Sequence, residues 1–270
     1  MAQTTFDKQG HRGCRGLMPE NTIPAMKKAI DLGVTLELDI SFSKEKLPIV
    51  SHDQVLLSKI ALKPNGDTIS KAEEKTLLLY CMPYAQIRQY DVGKKFNPSF
   101  PTQQKMAAYI PLLAELIDSA ETYAKQKGVA LPHYNIETKT TPQGDGIEHP
   151  APAEFVKLLM QVINKKKIQN RVIIQSFDPR TLEIVHHNYS EMPTALLVSN
   201  KDDLQKNLAV LSFKPTIFSP DHKMVNPGMV AACHEAGIKV IPWTVNDPRQ
   251  IAKMKQLGVD GIISDYPDRL

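Results

Sequence analysis

The sequence predicts an α/β protein of the TIM (β/α)8 barrel class, with a small subdomain inserted after the second strand. Three observations lead there. Short strand patterns alternate with helical patterns along most of the 270 residues, and such alternation implies a parallel sheet covered by helices. The alternation yields eight strands, which in a chain of this length fit a closed barrel better than an open doubly wound sheet. No Gly-rich dinucleotide fingerprint follows the first strand, which argues further against the open sheet. With 42% hydrophobic and 23% charged residues the composition is that of a globular chain able to bury its own core.

The elements follow in order. A first strand ends near His11. Pro19-Glu20-Asn21-Thr22 opens a helix, with Asn21 or Thr22 as its cap, and Ile23, Met26, Ala29 and Ile30 lie on one face before Gly33 stops it. Thr35–Ile40 alternates polar and apolar with period two and reads as the second strand. Leu47–Ser51 is a short extended return ending at His52-Asp53. Residues 54–109 break the rhythm with Pro64-Asn65-Gly66, Gly93, Pro98 and Pro101, and this stretch is expected to be an inserted subdomain of the single 1–270 barrel. The rhythm resumes with a helix over about Leu112–Lys127 and a strand His133–Glu137. A helix Ala153–Asn164 and a strand Val172–Ser176 follow, then a helix Pro179–His187 and a strand Thr194–Val198. A helix near Asp202–Leu211 precedes a strand Thr216–Ser219, and a helix Asn226–Ala236 precedes a strand Lys239–Trp243. A last helix over about Pro248–Leu257 and the strand Gly261–Ser264 complete the count.

The charge balance narrows the class of partner. An excess of 33 basic over 29 acidic residues, net +4, suits a small anionic substrate and is too slight to argue for nucleic acid. The three cysteines, Cys14, Cys81 and Cys233, are far apart and match no zinc spacing. No run approaches the ~18 apolar residues of a membrane span, so stable membrane insertion is not expected. The polar start Met1–Thr5 suits a cytoplasmic protein or an exported one that has lost its leader. The sequence leaves the oligomeric state open.

Active sites of such barrels lie at the C-terminal ends of the strands. His11 and Arg12 fall there on strand one, Glu37 and Asp39 on strand two, Glu137 and Lys139 on strand three, Gln175 and Phe177 on strand four, and Trp243 on strand seven. Glu37 and Asp39, at i and i+2, share one strand face roughly 6–7 Å apart. Two like charges inside a barrel are costly unless a cation binds between them. With Glu137 they form an oxygen set suited to one divalent ion, Mg²⁺ or Ca²⁺. A surface-facing pair or a structural salt bridge satisfies the same pattern, since an alternating strand can face either way. His11 and His52 stand beside these carboxylates and could divide general acid–base work, although a single His taken alone is more often structural. Arg12 and Lys139 bring positive charge for a phosphate, or for a neighbouring carboxylate. Trp243 could wall a substrate's carbon skeleton or pack in the core.

These residues stand in an ordered set of motifs. His11-Arg12-Gly13, Pro19-Glu20-Asn21-Thr22, Glu37-Leu38-Asp39-Ile40, His52-Asp53, Asn135-Ile136-Glu137-Thr138-Lys139, Ser176-Phe177, Trp243-Thr244-Val245-Asn246 and Gly258–Pro267 together resemble the glycerophosphodiester phosphodiesterase family over essentially the whole chain. The resemblance implies a TIM barrel with a small insertion after the second strand and a divalent metal on Glu37, Asp39 and Glu137. It also implies His11 and His52 as the acid–base pair, with Arg12 and Lys139 on the phosphate. The expected reaction is hydrolysis of a glycerophosphodiester to glycerol 3-phosphate and an alcohol. A related phospholipase of the phospholipase D or phosphatidylinositol type on the same barrel, or a non-catalytic phosphodiester-binding barrel, are the competing readings. The chain departs from the family at Cys14–Met18, which carries bulk where small residues are frequent and places an additional charge, Arg15, near the mouth.

Overall fold

The structure, a computed structural model, describes residues 6–270; the polar start Met1–Thr5 lies outside the described residues. Its elements in chain order are β1 (Asp7–Gly10), α1 (Ile23–Asp31), β2 (Thr35–Phe42), β3 (Pro48–Val50), α2 (Lys71–Glu74), α3 (Tyr84–Ile87) and α4 (Leu113–Lys127). Then come β4 (Tyr134–Thr138), α5 (Pro152–Lys166), β5 (Val172–Ser176), α6 (Pro179–Asn188), β6 (Thr194–Val198) and α7 (Leu204–Leu208). β7 (Ile217–Pro220), α8 (Pro227–Glu235), β8 (Lys239–Val240), α9 (Pro248–Gln256) and β9 (Gly261–Ser264) finish the chain.

The sheet runs β8-β7-β6-β5-β4-β2-β1-β9, all parallel, with β3 added antiparallel to β2. The two ends of that order are stitched by Asp260 N to Val240 O (2.8 Å), Ile263 N to Pro242 O (3.0 Å) and Val245 N to Ile263 O (3.0 Å). The result is a nearly closed barrel of eight parallel strands among the described residues. The seventh barrel strand is shorter than the pattern Lys239–Trp243 suggests, because Pro242 has no N–H to give to a ladder. Likewise α7 covers only Leu204–Leu208; Asp203 caps it and the Asn207 amide folds back onto the Asp202 and Asp203 carbonyls.

The alternation along β2 explains how the barrel is filled. Leu36, Leu38, Ile40 and Phe42 point outward into the main apolar core shared with the helices, while Glu37, Asp39 and Ser41 point inward. The interior has two sides. Ala195, Ile217, Ile241 and Ile263 form an apolar patch on the side of β6 to β9. Gln9, Asn135 and Gln175 form a buried amide chain on the other, with Asn135 Nδ2 donating to Gln9 Oε1 (2.7 Å) and Gln175 Oε1 (2.9 Å). Residues 54–109 carry α2 and α3 and supply most of a second apolar cluster, built around Leu56, Leu79, Ile87 and Ile110 and anchored on Ile49 of β3. No helix among the described residues is long and apolar enough to cross a membrane.

Candidate active site

The turn after β1 sets the first part of the site. Gly13 (φ +86°) lies so close to α1 that a Cβ there would meet the Ala25 side chain at 2.8 Å. Arg12 (φ 51°) and Asn21 (φ 56°) are also left-handed, a costly conformation for residues with side chains. What it achieves is visible in the contacts: the Arg12 backbone N–H donates to Glu37 Oε2 (2.7 Å), and Asn21 Nδ2 donates to Asp39 Oδ2 (2.8 Å). The Arg12 side chain runs to Glu20 Oε1 (2.6 Å) and its Nε stands 3.5 Å from Asp39 Oδ2.

β2 and β4 then bring three carboxylates together, Asp39 and Glu137 side by side and Glu37 one inward-facing position lower on β2, opposite Asn135. Asp39 is the register partner of Glu137, and Glu137 of Gln175. Glu37, Asp39 and Glu137 are all buried and each offers an oxygen within 4.8 Å of the others. Gln175 Nε2 donates to Glu37 Oε1 (2.7 Å), so its amide orients a carboxylate at the site floor. Lys139 Nζ donates to Glu137 Oε1 (2.7 Å), lies 4.0 Å from Asp39 Oδ1 and 3.2 Å from His52 Nε2.

Each histidine has a carboxylate behind it. His11 Nδ1 is 2.6 Å from Asp265 Oδ1, and His52 Nδ1 is 3.0 Å from Asp53 Oδ2. Phe177, 43% exposed, meets Trp243 edge to face at 5.3 Å between centroids. Trp243 Nε1 donates to Ser219 O (2.8 Å), which fixes the indole. His11, Arg12, His52, Glu137, Phe177 and Trp243 line a cavity of about 150 Å³ at the barrel mouth. The sequence-expected residues therefore converge on one place.

Burial and mutual repulsion shape the charges. Glu37 is pushed well above the ordinary carboxylate range, first by burial and then by Asp39 and Glu137. Glu137 is pushed up to about 7 by burial, with Lys139 opposing and Asp39 adding. Burial also works to raise Asp39, but its electrostatic interactions with His52, Arg12 and Lys139 outweigh it and hold this carboxyl low. Three carboxylates this close do not ionise together without a cation. Asp39 Oδ1 is buried without a hydrogen-bond partner among the described residues. An unsatisfied oxygen inside an all-oxygen donor set fits a hard divalent ion. Burial lowers the His11 imidazole to about 4, although the Asp265 carboxylate pulls the other way. That pull is limited because Asp265 also accepts from Arg15 (2.9 and 3.2 Å) and Asn246 (2.7 Å).

Six further residues complete the site: Arg15, expected from the sequence near the mouth, and Glu20, Asn21, Asp53, Asn246 and Asp265, which the sequence did not single out for it. All six stand inside or beside the quoted motifs, so the signal was present. Their hydrogen-bonding roles depend on contacts such as the 254-residue separation between His11 and Asp265, which no local pattern encodes.

Comparison with known proteins gives a consistent answer. The sequence model of the Glycerophosphoryl diester phosphodiesterase family matches residues 11–269. A glycerophosphodiester phosphodiesterase of Bacillus subtilis (strain 168) is 29% identical, over 96% of this chain and 83% of the relative. The crystal structure of a Silicibacter pomeroyi DSS-3 protein, 30% identical, superposes with a TM-score of 0.87 over 98% of this chain and 92% of that one. An Oleispira antarctica phosphodiesterase solved in complex with its product sn-glycerol-3-phosphate shares the fold at 24% identity, TM-score 0.76, over 97% and 94% of the two chains.

Proposed function

The chain belongs to the glycerophosphoryl diester phosphodiesterase family, and on that premise we propose that it hydrolyses glycerophosphodiesters to glycerol 3-phosphate and an alcohol. The observation that carries this reading is the convergence of Glu37, Asp39 and Glu137 with two carboxylate-backed histidines and two cations at one barrel mouth. The relatives' names and the product held by the Oleispira antarctica enzyme support the same substrate class. In this reading the whole chain is one catalytic barrel and residues 54–109 are its inserted subdomain.

Glu37, Asp39 and Glu137 would hold one divalent ion, Mg²⁺ or Ca²⁺. When bound, that ion supplies Lewis-acid polarisation of a phosphoryl oxygen. Arg12 and Lys139 take up the negative charge that grows on the phosphoryl oxygens as the nucleophile adds. The Arg12 Nε, buried and without a hydrogen-bond partner among the described residues, is a donor available to that charge. His11 and His52 divide the proton transfers. One removes the proton from the attacking hydroxyl and the other protonates the leaving alkoxide as its P–O bond breaks. Attack by water gives glycerol 3-phosphate at once; attack by the substrate's own 2-hydroxyl gives a cyclic phosphate, which a water then opens with the two histidines in exchanged roles. Phe177 and Trp243 give the carbon skeleton an apolar wall, and Gln175 keeps Glu37 aimed inward.

A panel of glycerophosphodiesters, assayed for released glycerol phosphate before and after chelation and with each metal restored in turn, tests this reading. Release that depends on Mg²⁺ or Ca²⁺ is expected. Full activity in the chelated protein removes the metal assignment, and no release from any diester removes the reaction.

A further inference from the structure

Arg15 stands at the barrel mouth, 17% exposed at its side chain, and the function proposed above does not use it. Its guanidinium grips Asp265 as a fork, Nε to Oδ1 at 2.9 Å and Nη2 to Oδ2 at 3.2 Å. Asp265 is the carboxylate that holds His11 Nδ1. With Asn246 Nδ2 on Oδ2 at 2.7 Å, both carboxylate oxygens are fully engaged and the plane of the group cannot turn. The backbone closes the same unit, since Gly16 N donates to Asp265 O at 2.8 Å. The outer face of the guanidinium lies on the Phe100 ring, 4.7 Å from its centroid, and Gln103 Nε2 donates to Arg15 O at 2.7 Å. Phe100 and Gln103 belong to the stretch 54–109, so a chain of contacts runs from that segment through Arg15 and Asp265 to His11. Without Arg15 the carboxylate keeps one bond on each oxygen, His11 on Oδ1 and Asn246 on Oδ2, and has more freedom to turn about its Cβ–Cγ bond; the planar fork removes that freedom.

We propose that Arg15 is a positioning residue for proton transfer: it locks the Asp265 carboxylate so that His11 is kept as the Nδ1–H tautomer with Nε2 free, and Phe100 clamps Arg15 in that pose. The proposal rests on the reading of His11 as an acid–base group, so its test has a readout apart from turnover. The ¹⁵N resonances of the His11 ring report the tautomer directly, whether or not the right diester has been found.

The comparison is of wild type, Arg15→Ala, Arg15→Lys, Phe100→Ala, Asp265→Asn and the Arg15→Ala/Asp265→Asn double variant. In the wild type His11 should show a protonated Nδ1 and a bare Nε2. Arg15→Ala should show a mixture of tautomers, with kcat lower by about 10–100-fold, the loss expected of a misplaced catalytic group, and KM nearly unchanged. Arg15→Lys keeps the charge without the fork and should fall between, as should Phe100→Ala; these two carry the test if Arg15→Ala does not fold. In the Asp265→Asn background the Arg15 change should cost little more, because the two act through one group. A wild-type tautomer with wild-type kcat in Arg15→Ala overturns the proposal. So does a rise in KM alone, or a loss of equal size in both backgrounds. An inactive wild type whose His11 tautomer still depends on Arg15 would instead refute the assigned reaction.

Discussion

His11 and His52 share one construction: Nδ1 lies against a carboxylate, which turns Nε2 away from it, and on His52 that second nitrogen stands 3.2 Å from Lys139 Nζ. Replacing either by Ala should lower kcat by ~10²–10⁴, the range of a lost general acid or base, measured on the most active diester of the panel with circular dichroism as the control for folding. His11 also carries a stability signature. Burial lowers its pKa from 6.5 to about 4, so the unfolded chain takes up a proton on acidification before the folded one does. The stability it contributes is full above about pH 6.5 and is lost as the pH falls towards 4, at up to ~1.4 kcal/mol per pH unit. Urea midpoints measured across that window should slope downward in the wild type and flatten in His11→Gln; parallel curves would show that His11 is not the residue responsible. Both histidines were legible as types beside acidic motifs, whereas their carboxylate partners were not equally so. Asp53 is adjacent in sequence, but Asp265 reaches His11 only because β9 pairs with β1.

Among the elements, the turn between β1 and α1 does the most for the site. It delivers the Arg12 N–H to Glu37 and the Asn21 amide to Asp39, and it does so through left-handed residues and the close approach of Gly13 to Ala25. Gly13→Ala therefore should destabilise by about 1–3 kcal/mol, the cost of a strained backbone position, and should lower turnover as well, because the turn carries Arg12. An urea midpoint equal to wild type would mean that the turn relaxes freely. The helix start at Pro19–Thr22 was readable as a cap sequence, and Thr22 is the observed cap. The left-handed Arg12 and Asn21 were not readable, since neither residue type demands that conformation; the packing of α1 against the turn imposes it.

At the scale of the whole molecule, the carboxylates come from two strands, the histidines from loops after β1 and β3, and the aromatic wall from loops after β5 and β8. A cation bound by the carboxylates would tie the folded barrel together and gain nothing from the unfolded chain. Mg²⁺ or Ca²⁺ at 100 times its dissociation constant should add about 2.7 kcal/mol of stability, read as a higher Tm that a chelator reverses and that Asp39→Asn abolishes. An identical melting curve with and without metal would argue against the carboxylate set as a metal site. The sequence by itself determined the (β/α)8 class, the placing of Glu37 and Asp39 on one face of β2 and the identity of the polar residues at the strand ends, while the fold decided that this face points inward. Strand periodicity and the motifs that carry these residues are local properties, written within a few positions of one another. Only the tertiary structure decided how the charges are shared: which carboxylates burial pushes up, that Asp39 keeps an unsatisfied oxygen, and that Arg15 and Asp265 stand behind His11. Those depend on desolvation and on contacts between the two ends of the chain, which exist only once β9 has closed against β1.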